Sequence, residues 1–412
     1  MKKIIFTIVS NNYLGSALSL YDSIVEHCQS DIDFICLLSD RKDENIKYDE
    51  LKFNLMWPTD FLDQDVINEM AFKYDVVEYN TALKPFAIKY LMSTLDYERV
   101  YYFDPDTYLF DNIESIERYL EEKDIVLTPH IVDGVLGDEL KENEEAILRN
   151  GIYNLGFLGV NKTSETEKII EWWMSKLRNQ CYNDKSYFVD QKWMNFITAY
   201  SDNVHILREK KYNVAKWNYH ERMITQREGE FLVNGDKMCF FHFSGYKAGD
   251  IDTFIEQEFK SSDYKIILKN LFEIYREKLK MNRFDEFRRR LYCYNFYDNG
   301  MVISKLNRRL YRQLLDNGIC YNNPFATGNN TFYDLMNKNG LLSEVYNTGE
   351  LKAAISNAGS KDRLQKTLNR IMRIVKKVIG VRRYELLLGY FYNYCTIDNQ
   401  IFLINENDLT NK

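Results

Sequence analysis

Arg99-Val-Tyr-Tyr-Phe-Asp-Pro-Asp106 is a β-type run that leads straight into two carboxylates one residue apart. Pro105 fixes its own φ and restricts Asp104, so the turn is stiff. Both carboxylates are then expected to face one point beyond the strand end. Oxygen ligands of this kind suit a hard divalent cation, Mn²⁺ or Mg²⁺. A cation there neutralises a diphosphate, whose charge builds up when a nucleoside diphosphate departs. The rival reading is a plain Asp-Pro-Asp surface turn.

Outward from this run, short β-type segments alternate with helical ones up to about residue 250. Lys3–Val9 reads as a strand, Gly15–His27 as a helix, Asp33–Leu38 as a second strand, and Asp124–Thr128 as one following Arg99–Phe103. The fold class expected is α/β, a mostly parallel sheet flanked by helices. In such sheets ligands bind beyond the carboxyl ends of the strands. From about 255 helical periodicity dominates, over 254–280 and 341–355, with a turn-rich loop at 322–330. The domains expected are an α/β domain over 1–250 and a mainly α-helical C-terminal region over 251–412.

Composition narrows the function classes. Lys+Arg is 54 against 61 Asp+Glu, a net charge of −7, which argues against a general nucleic-acid binder. The seven cysteines show no Cys-x-x-Cys spacing, so reduced thiols are expected rather than a zinc site or a disulfide framework. Met1-Lys2-Lys3 resembles the start of a signal peptide, but the apolar run behind it is short and broken by Thr7. No stretch approaches the ~18 apolar residues of a membrane span. A cytoplasmic protein is expected. A Gly-x-x-x-x-Gly-Lys-Ser/Thr loop and a Gly-x-Ser-x-Gly elbow are both missing, which leaves kinase and hydrolase readings unsupported.

His242 is the second clue, in Cys239-Phe-Phe-His242-Phe-Ser-Gly245-Tyr-Lys247, again just past an aromatic β-type run. Neutral imidazole is an acceptable third ligand for Mn²⁺ beside two carboxylates. Gly245 would let backbone approach a phosphate closely. A satisfied core histidine is the alternative.

Taken together, these motifs resemble the GT-A-fold (Rossmann-like) nucleotide-sugar glycosyltransferases, above all the retaining branch that includes glycogenin and bacterial lipopolysaccharide galactosyltransferases, and related bacterial cell-surface glycosyltransferases. Asp104-Pro105-Asp106 matches that family's Asp-x-Asp, and His242-Phe-Ser-Gly245 its His-x-x-Gly. The resemblance implies Asp104, Asp106 and His242 as metal ligands. It implies Asn154 and Gly156, in Tyr153-Asn-Leu-Gly-Phe157, as lining the donor-sugar pocket. Asp190 and Gln191 would stand beside the anomeric carbon, as the catalytic pair. Ser10, Asn12 and Tyr13, with Val9 at the strand end, would hold the nucleoside, although Ser10 and Asn11 stand where an acidic residue often contacts uracil. Lys84 would stand near the diphosphate. Gly245 and Lys247 would also face the donor, although Lys247 comes one position early and Ala248-Gly249 replaces Pro-Trp. The family likeness thus implies a metal-dependent, retaining sugar transfer, from a UDP-sugar by preference, to a glycan, lipid-linked or protein acceptor in surface glycan synthesis.

Bland readings accompany several of these residues. Asp190 can be the N-cap of a helix over 191–200. Asn154 can be a buried turn amide, and Lys84 a solvated lysine before a helix. Trp217, Asn218, His220 and Glu221 form a polar-aromatic cluster that suits a sugar or simply a core. Two other classes stay open. A sugar nucleotidyltransferase would want a basic, Gly-rich loop after the first strand, where Ser10–Gly15 has one Gly and no Lys or Arg. A non-catalytic transferase-like subunit would be expected to lack the paired aspartates. Finally, 361–383 holds nine Lys/Arg and one Asp, with Leu364, Leu368, Ile371, Val375 and Val378 at helical spacing. Such a basic amphipathic helix either lies peripherally on the inner face of the cell membrane or packs with a solvated basic face.

Overall fold

The computed structural model describes residues 1–28, 31–134, 144–184, 187–259, 265–342 and 358–410. They form two compact units, Met1–Leu62 with Val76–Tyr292, and Asp63–Asp75 with Cys293–Lys412. Residues 251–292, read with the C-terminal region from sequence, pack in the first unit.

The first unit is built on strands β1 (Lys3–Val9), β2 (Ile32–Leu38), β3 (Asn54–Met56), β4 (Arg99–Phe103), β5 (Thr107–Leu109), β6 (Ile125–Pro129), β7 (Tyr153–Asn161) and β8 (Val204–Ile206). Seven of them form one sheet in the order β3-β2-β1-β4-β7-β6-β8. All neighbours are parallel except those of β7, which runs antiparallel to β4 and β6. This is the expected α/β, mostly parallel architecture. β1 and β4 are almost wholly buried, which is why they read as continuous apolar runs rather than alternating ones.

Helices cover both faces. α1 (Leu14–His27) sends Leu14, Ala17, Leu18 and Leu20 onto the face that carries Ile5, Tyr101 and Phe103. The helix after it is α2 (Gln64–Lys73), which belongs to the second unit. α3 (Val76–Ser93) packs on β1 and β4 and on α4 (Ser164–Leu177). The order of strands reverses beside β1, because β2 and β3 lie to one side and β4 to the other. The carboxyl end of β1 is therefore a switch point, the place beyond which open α/β sheets bind ligands.

Two further pieces complete this unit. β9 (Ile224–Arg227), β10 (Glu230–Val233) and β11 (Asp236–Lys237) form a small antiparallel sheet. β12 (Phe240–His242) pairs antiparallel with β5, setting His242 opposite Thr107. The expected helix over 254–280 is two helices, Ile251–Glu258 and Lys265–Met281. Close approach is visible at Gly15, where an added Cβ would stand 2.6 Å from the Phe284 Cα.

In the second unit, α2 ends against Arg308. This buried guanidinium donates to the carbonyls of Ala71 (3.0 Å), Phe72 (2.8 Å) and Tyr74 (2.7 Å), satisfying acceptors that a helix end leaves open. Phe72 is ringed by Tyr297, Tyr311, Phe325 and Phe332. Helices Ala358–Ile379 and Val381–Tyr394 follow, with Gly380 between them at φ +75°. Most of the helix expected over 341–355 lies outside the described residues. No helix among the described residues is long and apolar enough to cross a membrane.

Candidate active site

β4 delivers Asp104 and Asp106 at its carboxyl end, through a turn held on both sides. The Asp104 N–H donates to the Gly156 carbonyl at 2.8 Å, and the Thr107 N–H closes onto the Asp104 carbonyl at 3.0 Å. β12 brings His242 alongside: its N–H donates to Val214 O and the Phe243 N–H to Asp106 O, each at 2.8 Å. The imidazole Nε2 then stands 3.1 Å from Asp106 Oδ1 and 3.7 Å from Asp104 Oδ2. Asp104, Asp106 and His242 each present a ligand atom within 4.8 Å of the others, the one such group of three among the described residues.

The electrostatics of this trio call for a positive charge. Burial opposes ionisation of Asp106, but the His242 imidazole outweighs it and holds the carboxyl below the usual range. Burial likewise opposes protonation of His242, yet the neighbouring Asp106 and Asp104 charges raise its basicity. One imidazole nitrogen aimed between two carboxylates is satisfied either by a proton or by a cation. His242 Nδ1, on the other side of the ring, is buried with no hydrogen-bond partner among the described residues. The donor set of two carboxylates and one imidazole fits Mn²⁺ or Mg²⁺ as these residues stand.

Around the trio lies a shell of fixed groups. The Tyr102 hydroxyl donates to Asp104 Oδ1 at 2.6 Å; burial, then the Asp104 charge, pushes that phenol well above its ordinary value. Gly156, on β7, leaves room for the His242 ring: a Cβ there would lie 2.5 Å from His242 Cε1 and 2.8 Å from Nδ1. Trp217 meets the imidazole edge-on, ring centres 5.1 Å apart, and His130 meets Trp217 at 5.5 Å. Trp217 Nε1 is buried without a hydrogen-bond partner among the described residues. Burial, chiefly, lowers the His130 pKa to about 4, so it is neutral here.

Asn154 and Gln191 are woven together beside this trio, the Asn154 Nδ2 donating to Gln191 Oε1 at 3.4 Å. Asn154 Oδ1 accepts from Asn213 Nδ2 at 3.0 Å and from the Gly156 N–H at 3.1 Å. Gln191 Oε1 accepts from the Leu155 N–H at 3.3 Å, and its Nε2 donates to Asn150 O at 2.9 Å. Asn154 is thus a buried amide on a strand, not in a turn. Asn218 is buried too, and donates to His130 O and Asn213 O, each at 3.0 Å.

Lys84 and Asp190 depart from their bland readings. Lys84 lies inside α3, followed there by Pro85, and is almost wholly buried. Its ammonium donates to Asp190 Oδ2 at 2.5 Å and Leu155 O at 2.8 Å, over the Tyr102 ring at 4.1 Å. It is therefore not a solvated lysine, and its charge is committed to Asp190. Burial raises the Asp190 pKa, and Lys84 only partly offsets it. Asp190 does not cap a helix: a 3₁₀ turn Trp193–Phe196 and a short α5 (Ile197–Tyr200) follow instead, and its carboxylate points to Lys84. The preceding Val189 has φ +43° and is fixed by its N–H to Tyr182 O at 2.9 Å.

At the carboxyl end of β1, Ser10 Oγ donates to Asn12 Oδ1 at 2.5 Å, and Val9 O accepts from the Ser39 N–H at 2.8 Å. Burial, then the Asp106 charge, raises the Tyr13 phenol. Gly245, at φ +80°, is exposed, as is Lys247. Sequence reading missed two charged neighbours. Asp40, buried after β2, accepts from the Asn11 N–H at 3.4 Å. Lys216, paired with Glu258 at 2.9 Å, comes within 3.4 Å of where a Gly245 Cβ would be and helps to lower the Asp106 pKa. Position just past a strand end was the available signal for Asp40; Lys216 gave none of its own.

No known family model matches the chain. Two uncharacterised proteins of Bacillus subtilis (strain 168) are similar. YfnF is 25% identical over 279 residues, 66% of this chain and 90% of YfnF. YfnD is 22% identical over 253 residues, 58% of this chain and 76% of YfnD. Among solved structures, the galactosyltransferase LgtC in complex with donor and acceptor sugar analogues aligns at TM-score 0.40 and 15% identity, covering 65% of this chain and 95% of that one. The glycosyltransferase GlyE of Streptococcus pneumoniae TIGR4 aligns at TM-score 0.38 and 15% identity, covering 67% of this chain and 64% of that one.

Proposed function

We propose that this protein is a metal-dependent glycosyltransferase, moving a sugar from a nucleoside-diphosphate donor, by preference a UDP-sugar, to an acceptor hydroxyl. The observation that carries the reading is the convergence of Asp104, Asp106 and His242 at the end of β4, next to the carboxyl end of β1. These three would hold Mn²⁺ or Mg²⁺, which when bound neutralises the charge of the departing diphosphate. Tyr102 orients Asp104, and Gly156 keeps the imidazole in place. Ser10, Asn12, Tyr13 and Asp40 would take the nucleoside, with Gly245 and Lys247 at the donor's far side. Asn154 and Gln191 brace each other, so that their amides are held rigid under the sugar.

Asp190 is the carboxylate assigned to the anomeric carbon. Its ion pair with Lys84 supports a role as a fixed negative charge that favours developing positive charge on the sugar ring. Retention of configuration, and a role in bacterial surface glycan synthesis with a glycan, lipid-linked or protein acceptor, follow the motif resemblance.

The test is donor hydrolysis. Purified protein is incubated with UDP-, GDP- and dTDP-sugars, with Mn²⁺ or with chelator, and released nucleotide is measured. Release from one donor that needs metal and vanishes in Asp104→Ala and Asp106→Ala is expected. Metal-independent release untouched by either change refutes the proposal. If no donor is hydrolysed, calorimetry with free nucleotides and Mn²⁺ decides, since absence of binding also refutes it.

A further inference from the structure

Helices Ala358–Ile379 and Val381–Tyr394 pack on each other yet leave an apolar row in the open. At 100° per residue, Leu368, Ile371, Ile374 and Val378 fall along one side of the first helix. They are 50%, 48%, 54% and 77% exposed. Met372, Val375 and Ile379, on the adjoining strip, are half-buried. Arg370, Arg373, Lys376 and Lys377 occupy the opposite side, all exposed. On the second helix Leu386, Tyr390, Tyr392 and Tyr394 are each more than half exposed.

The charge of this hairpin is out of keeping with the chain. Residues 366–394 hold seven Lys/Arg and one Glu, a net of +6, within a protein of net charge −7. A monomeric protein seldom exposes a contiguous apolar row without a partner for it. The partner must accept apolar side chains and also carry negative charge. A second copy of the hairpin meets the first demand but brings like charges together. A nucleic acid meets the second but gives an aliphatic row no apolar environment.

We propose that the hairpin 358–394 is a peripheral docking surface for an anionic lipid bilayer. Leu368, Ile371, Ile374 and Val378 would enter the acyl boundary, with the tyrosines at headgroup level. The arginines and lysines would then pair with lipid phosphates. This surface is independent of the proposed chemistry and would stand if that reading failed.

The full chain is tested by co-sedimentation with vesicles of phosphatidylcholine alone and of phosphatidylcholine mixed with phosphatidylglycerol. Binding at least about tenfold tighter to the anionic vesicles, weakened by salt, is expected. The combined change Arg370→Glu, Arg373→Glu, Lys376→Glu and Lys377→Glu should return it to the neutral-vesicle level. The change Leu368→Ser, Ile371→Ser and Val378→Ser keeps every charge and should still weaken binding about tenfold. An unchanged Tm in both variants ties the losses to the surface. Equal binding to both vesicle types, or none to either, overturns the proposal. So does a dimer that the serine variant splits, or binding to RNA with none to vesicles.

Discussion

Replacing Gly156 with alanine tests the proposed metal site through a residue that is not one of its proposed ligands. The added methyl would stand 2.5 Å from His242 Cε1, where ordinary contact begins at 3.4 Å, so the ring must retreat by about 0.9 Å. Little lets it do so, because Trp217 meets the ring edge-on at 5.1 Å and β12 is pinned to β5. Overpacking of this kind costs about 1–3 kcal/mol of stability. The effect on the ion should be clearer, since metal–ligand distances tolerate only about 0.2 Å. Mn²⁺ affinity is expected to fall about 10- to 100-fold. Titration of Mn²⁺ by electron paramagnetic resonance reads this directly, and circular dichroism checks the fold. Gly159→Ala, on the same strand, is the control: its methyl meets Tyr101 at 3.3 Å and lies away from His242. Unaltered Mn²⁺ affinity in a folded Gly156→Ala protein would show that His242 is not a ligand.

Other outcomes follow from the same geometry. Lys84→Met should destabilise the fold by about 3–5 kcal/mol in urea titration, because it strands a buried Asp190 carboxylate; adding Asp190→Leu should recover much of the loss, and additive losses would contradict the pairing. Saturating Mn²⁺ should raise Tm, by about 2.7 kcal/mol of stability at a hundredfold excess over Kd, and Asp106→Ala should abolish the shift. His130 is held at about 4, below its unfolded value, so protons favour the unfolded chain. Its contribution is complete above about pH 6.5 and is lost as pH falls through 4, worth about 3 kcal/mol. His130→Gln should flatten that part of the stability–pH curve, and an unchanged curve would mean that His130 titrates normally.

The Asp-Pro-Asp turn was legible because everything that shapes it is local: an apolar strand, a proline and two acids within eight residues. The β/α alternation was legible for the same reason. Lys84 was not, since its partner lies 106 residues away and nothing nearby marks it as buried. For Asp190 a helix cap was the rival reading, because local chemistry allows that role; an ion pair from α3 decides against the cap. Residues 251–292 were read as helical, correctly, but periodicity does not say what a helix packs against. Contacts such as that of Phe284 on Gly15 place them in the first unit. The basic amphipathic helix read over 361–383 was legible because its stripe is written at helical spacing, but it ends at Ile379, and Gly380 at φ +75° turns the chain into a second helix that the spacing did not mark.

Val189 carries a consequence for anyone who would make this protein sturdier. A β-branched residue at φ +43° costs on the order of 1–3 kcal/mol that glycine would not. Substitution by glycine is thus an inviting entry in a stabilisation programme, and backbone statistics alone would select it. Yet the bend is the approach to Asp190, and a looser hinge there would let the carboxylate wander from Lys84. A variant with a higher Tm and a lower turnover number would be the signature of strain kept for precision, a compromise that screening for heat resistance alone would discard unseen.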